Sequence, residues 1–191
     1  MLIKMNSMID KKLIIDFVKF LTINHGDETW FNAIQGDFES YVQKKFAYYL
    51  STIPNKNLNI IIEQTINNRR IDLQIVNVGN TYKTTYNIEF KSVHNDVARS
   101  FLSSYHSGIK QIKKLPINNK NFLIITATHF NNIINNPLHG LFYKGRVKKS
   151  GNGVLFKPSQ SKTWSNLYGP NPSSAASFNF KHITIEFYLF P

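Results

Sequence analysis

Apolar residues recur at two periods along this chain, and each change of period marks a change from helix to strand. Ile9, Leu13, Phe17 and Phe20 or Leu21 follow a helical spacing. That spacing opens at Ser7-Met8-Ile9-Asp10, a serine followed three residues later by an acid, as in an N-terminal cap. Over residues 34–50, Ile34, Phe38, Tyr41, Val42, Phe46, Tyr49 and Leu50 predict a second helix. The period then falls to two. Residues 58–66 read as a strand, joined through Asn67-Asn68 to a second strand whose Ile71, Leu73 and Ile75 face one way and Asp72 and Gln74 the other. Val78-Gly79-Asn80-Thr81 predicts a two-residue turn into a third strand over 86–92, with Ile88 and Phe90 inward and Glu89 and Lys91 opposite.

Helical spacing returns over about 96–115, where Val97, Phe101, Tyr105, Gly108, Ile109 and Ile112 share a face and Pro116 ends the run. Residues 121–129 form a short apolar run of buried-strand type. Residues 135–177 differ in character, rich in proline and glycine and carrying the basic run Lys144, Arg146, Lys148 and Lys149. Residues 178–190 return as a closing strand, most clearly over 182–190. The whole reads as one α/β domain, 1–191, with a central mixed β-sheet flanked by helices and a core at about 30–130. Spacing shows no internal repeat, and no apolar run approaches the roughly 18 residues that cross a bilayer.

Turn lengths bring chemistry together. Even positions of the second strand fall against odd positions of the third, so Asp72 lies across from Glu89 or one diagonal away. Two carboxylates and an amine then share one sheet face. Such a set suits phosphodiester hydrolysis: Mg²⁺, with Mn²⁺ as substitute, is held by one or two carboxylates while water and phosphate complete its shell. A neighbouring ammonium orients or deprotonates water and offsets charge on the phosphate. The competing reading is a solvated strand face whose ion pair is worth under about 1 kcal/mol. Against it, acid-x-Lys occurs only twice, and Asp10-Lys11-Lys12 sits on a helix where both groups face water. Glu63, set opposite Asp72 by the Asn67-Asn68 turn, either ligates metal or holds Lys91.

These residues resemble the PD-(D/E)XK nuclease superfamily, the restriction-endonuclease-like fold, over roughly residues 36–129. Its order is a helix bearing a glutamate, a strand or hairpin ending in the aspartate, the (D/E)-x-K strand, a helix and another strand. The resemblance implies that Asp72 and Glu89 bind metal and that Lys91 is the catalytic lysine. The proline of the family's name is Ile71 here, as in the many members that lack it. Glu39 falls between Phe46 and Leu50 on the helical wheel, inside the apolar arc, and corresponds to the family's helix glutamate near the metal; the alternative is an edge residue whose carboxylate reaches water. Gln111, bordering the apolar face of its helix, matches a glutamine that contacts the site in some branches, or is a plain surface amide.

Charge adds an independent argument. The net charge is +12, but residues 1–96 hold eleven Lys/Arg against ten acids, and residues 97–191 hold twelve against Glu186 alone. A half with one acid suggests a polyanion partner, gripped by Lys144, Arg146, Lys148 and Lys149. Cysteine is absent, which excludes disulfides, thiolate zinc sites and thiol catalysis and fits a reducing cytoplasm. The histidines show no metal-ligand spacing. The expectation is a Mg²⁺-dependent endonuclease acting on DNA, with RNA the alternative substrate, of restriction or defence type and with a homodimer to cut two strands. Repair, recombination or mobile-element nucleases share this description. An inactive nucleic-acid-binding module and a protein whose basic half binds an acidic partner are the opposing classes.

Overall fold

The computed structural model describes residues 8–35, 38–54, 57–66, 69–78, 83–94, 98–116, 119–130, 176–180 and 183–190. The first helix, α1 (Lys11–Gln35), begins one residue after Asp10, whose carboxylate accepts the Leu13 N–H at 2.8 Å and satisfies an amide the first turn leaves unpaired. The cap is thus Asp10, and the expected Ser7 lies outside the described residues. The helix also runs past Leu21, across a kink at His25 (φ −139°, ψ 24°). Polar residues around the kink hide this continuation in the sequence. Glu28, beyond the bend, ties it to the next helix through Lys45 Nζ at 2.8 Å. That helix is α2 (Phe38–Thr52), shorter at its start than the apolar spacing suggests.

Six strands form one mixed sheet: β1 (Leu58–Ile66), β2 (Arg69–Val78), β3 (Lys83–His94), β4 (Lys120–Phe130), β5 (Ala176–Phe180) and β6 (Ile183–Phe190), in the order β1-β2-β3-β4-β6-β5. Among the described strands only β3 and β4 run parallel, and α3 (Ala98–Ile112) makes their crossover. Two expectations change. Val78 pairs with Lys83, so four residues rather than two separate β2 from β3; the even-to-odd parity survives because the register moves by two. The closing segment is a hairpin, β5 and β6, since Phe180 pairs with Ile183. Both strands carry apolar positions at period two, so one strand and two are alike in pattern.

The sheet is covered on both faces. Leu73, Ile75, Ile88 and Phe90 point toward α1 and α2, where Phe46 meets Phe17 edge-on at 4.9 Å and Phe90 at 5.9 Å between ring centres. Leu123, Ile125, Ala127 and Tyr188 point the other way, toward Tyr105, Ile109 and Ile112 of α3. Polar side chains are buried here too: Gln74 and Asn87, with the half-buried Asn121, join β2, β3 and β4 by hydrogen bonds of 2.9 and 2.7 Å.

Gly108 sets how closely α3 approaches. A Cβ there would lie 2.5 Å from Leu123 Cδ1 and 3.2 Å from its Cγ, and Leu123 is fully buried. Gly108→Ala gains about 1 kcal/mol of helix propensity but overpacks the interface at about 1–3 kcal/mol. A net loss of about 1 kcal/mol is expected, measured by urea denaturation; a gain would mean that α3 has room to withdraw. Among the described residues no helix is long and apolar enough to cross a membrane.

Candidate active site

The site forms where two strands part. β2 pairs with β1 from Asn77 down to Arg69, with a break at Asp72 and Glu63, but pairs with β3 only as far as Leu73 and Ile88. Past that point β3 continues beside β4 while β2 splays away. Two carboxylates take up β3 amides there. Asp72 Oδ2 accepts the Phe90 N–H at 2.8 Å, and Glu39 Oε2, from the first turn of α2, accepts the Ser92 N–H at 2.9 Å. Phe90 is anchored below by Phe46, so the backbone carrying these donors is held from the core side.

Glu89 and Lys91 flank Phe90 on the opposite face. Lys91 Nζ lies 2.6 Å from Glu89 Oε1, 3.4 Å from Glu39 Oε1 and 2.7 Å from the Phe90 carbonyl, so its three donors meet three acceptors. Glu89 is almost wholly buried. Desolvation, reinforced by the charge of Asp72, pushes its carboxyl up to about 7 against the opposing pull of Lys91. For Lys91, burial works against the charge, but the hydrogen bond and charge of Glu89, then Glu39 and Asp72, outweigh it and hold the amine above its ordinary value. Lys91 is therefore an ammonium at neutral pH, suited to donating and to neutralising charge rather than to accepting a proton.

An open cavity of about 350 Å³ contains Glu39, Asp72, Glu89 and Lys91 in its walls. Glu63 and Gln111 also line it, so every residue expected from the first 120 positions reaches one place. Two of these acids have partners that the sequence reading left open. Glu39 is half-exposed at the cavity rim and not turned into the core, its carboxylate satisfied by Ser92 and Lys91. Glu63 pairs with Arg70, and it is Glu39, with Glu89, that holds Lys91. Lys144, Arg146, Lys148 and Lys149 lie outside the described residues.

Three lining residues escape the sequence reading: Ser40, Gln43 and Arg70. Gln43 is buried and donates its amide N–H to the Asp72 carbonyl, tying α2 to β2 beside the splay. Position 43 is one helical turn beyond Glu39, on the same side of α2. Arg70 stands two residues before Asp72 on the same strand face.

The donor set fits a hard cation. Among the described residues no three His, Cys, Asp or Glu groups converge into a complete cage. Mg²⁺ does not need one, taking one or two carboxylates and leaving the rest of its shell to water and phosphate. Asp72 and Glu89 offer oxygen only, the ligand type that a hard cation takes.

Residues 37–120 match the family model described as the PD-(D/E)XK nuclease superfamily. The match begins just before α2, ends at the first residue of β4, and includes Glu39, Asp72, Glu89 and Lys91. Neither a curated protein nor a solved structure matches the chain. The mixed sheet and the three helices of the described residues agree with the core of that superfamily, which indicates nuclease activity in general and a nucleic-acid substrate.

Proposed function

We propose that this chain, whose residues 37–120 belong to the PD-(D/E)XK nuclease superfamily, is a Mg²⁺-dependent endonuclease that hydrolyses DNA phosphodiester bonds. The observation that carries the reading is the contact of Lys91 with Glu89 beside Asp72 at one open cavity. Asp72 and Glu89 would hold the cation, with Mn²⁺ able to replace it. When bound, the ion supplies Lewis-acid polarisation of the phosphate and a water of lowered pKa. Lys91 keeps its proton and directs it at the attacking water or at phosphate oxygen. Its contact with Glu39, at 3.4 Å the longest of the three, is the one most easily exchanged for substrate. Glu39 positions Lys91 from the rim, and Gln43 fixes the backbone of Asp72.

DNA is favoured over RNA, and a restriction or defence role over repair, recombination or mobile-element processing. The +11 balance of residues 97–191 supports a polyanionic partner, with Lys144, Arg146, Lys148 and Lys149 gripping phosphates. On this reading residues 1–191 act as one nuclease-like domain, and two copies cut the two strands. Supercoiled plasmid should be nicked or linearised with Mg²⁺ and left intact with chelator, while an RNA of equal length is spared. Binding without cutting at any Mg²⁺ or Mn²⁺ concentration would identify an inactive binding module instead. A methyltransferase gene beside this one is expected for the restriction role.

A further inference from the structure

The cavity carries a cation that the hydrolytic set does not use. Arg70 lines it, is largely exposed, and pairs with Glu63 across the β1–β2 hairpin. Strand register explains the arrangement. Thr65 faces Arg70, and the same count sets Glu63 opposite Asp72, which would put two carboxylates face to face. Glu63 instead adopts φ 56°, in the left-handed region that a non-glycine residue enters at a cost of about 1–3 kcal/mol, and its carboxylate meets Arg70. An exposed ion pair is worth about 0–1 kcal/mol, too little to explain that strain by stability alone.

Geometry says what Arg70 reaches. Positions 70 and 72 share a face of β2, about 7 Å apart along the strand at about 3.3 Å per residue. That is close to one phosphate-to-phosphate step along a nucleic acid backbone. With the scissile phosphate at Asp72, a guanidinium two residues back meets the next phosphate, and its planar fork suits phosphate oxygens. We propose that Arg70 is the receptor for the phosphate adjacent to the scissile one, and that Glu63 holds it in place until substrate displaces the carboxylate. This rests on the nuclease reading and adds to it a positioning contact that determines how the strand is threaded.

The experiment compares wild type, Arg70→Ala, Arg70→Lys and Glu63→Gln in steady-state cleavage of a short duplex with Mg²⁺, at several salt concentrations. Arg70→Ala should raise KM about tenfold or more with a much smaller change in kcat, and reduce the slope of log KM against log salt by about 0.9, one counterion contact. Arg70→Lys should restore the slope but only part of KM, since a point charge lacks the fork. Glu63→Gln should lower KM by releasing the guanidinium. A neutral methylphosphonate at the phosphate next to the cut should impair wild type and leave Arg70→Ala no worse than on the unmodified duplex. If Arg70 is only a hairpin ion pair, Arg70→Ala and Glu63→Gln will lower the melting temperature together and leave KM, slope and methylphosphonate sensitivity unchanged, which overturns the proposal while wild-type cleavage still upholds the nuclease. Absence of cleavage by wild type would overturn both.

Discussion

Lys91→Met is expected to reduce cleavage by about 10²–10³-fold or more, the loss that follows removal of one preorganised donor from a developing anion. The side chains have similar length, and Lys91 is mostly buried, so packing is largely kept. What disappears is the ammonium among Glu89, Glu39 and Asp72. Lys91 now lowers the Glu89 pKa, so its loss drives that carboxyl further toward the neutral acid. Folding should survive for this reason, because Glu89 relieves its own buried charge by taking up a proton. Asp72→Asn should fall as far, through lost metal affinity rather than lost proton donation, and it also weakens the acceptor for the Phe90 amide. Glu39→Gln should cost only about tenfold: it keeps an oxygen for Ser92 but loses the longer, 3.4 Å contact to Lys91. Single-turnover cleavage and DNA binding measured on the same preparations would decide this. Wild-type rates from Lys91→Met would remove the proposed site.

Why these residues could be found without coordinates is a matter of period. Strand alternation fixes which side chains share a face irrespective of turn length, provided parity holds, and parity held although the β2–β3 turn is two residues longer than its Gly-Asn suggested. Asp72, Glu89 and Lys91 therefore converge. Glu39 was legible as a carboxylate in an apolar arc, but the wheel could not say that the arc ends at a cavity rim where β3 offers an amide. The splay of β2 from β3 has no signature at all. It depends on Asp72 replacing a strand as partner of Phe90, a tertiary substitution made by a side chain. Gln43 and Arg70 were missed for the same reason, since an amide on a helix and an arginine on a hairpin read as ordinary surface until the gap beside them is known. The β5–β6 hairpin was hidden by its two-residue connection, Lys181-His182, which lacks the usual turn residues.

Mg²⁺ should be needed at about tenfold higher concentration at pH 6 than at pH 8, with the maximal rate restored once the ion saturates. Burial and Asp72 push Glu89 up to about 7, so below that pH a cation must displace a proton before the carboxylate can accept it. The same shift has a consequence for stability. A carboxyl near 4.5 when unfolded and about 7 when folded binds more protons in the folded state, so its contribution is present below about pH 4.5 and is lost as pH rises through 7. For one group this is at most about 3 kcal/mol. The raised Lys91 does not offset it, because that shift acts only at alkaline pH. Metal-free protein should therefore be less stable at pH 8 than at pH 6. Mg²⁺ should raise the melting temperature more at pH 8, where it replaces the proton that buried Glu89 has given up. Glu89→Gln should flatten both profiles, being the stabler protein at pH 8 without metal yet gaining least from its addition. Thermal melts with and without Mg²⁺ at the two pH values measure the stabilities, and cleavage rates over a Mg²⁺ titration at each pH measure the requirement. An equal Mg²⁺ requirement at pH 6 and pH 8, with an unchanged profile in Glu89→Gln, would mean that the buried carboxylate does not face the ion and that the cation binds elsewhere in the cavity.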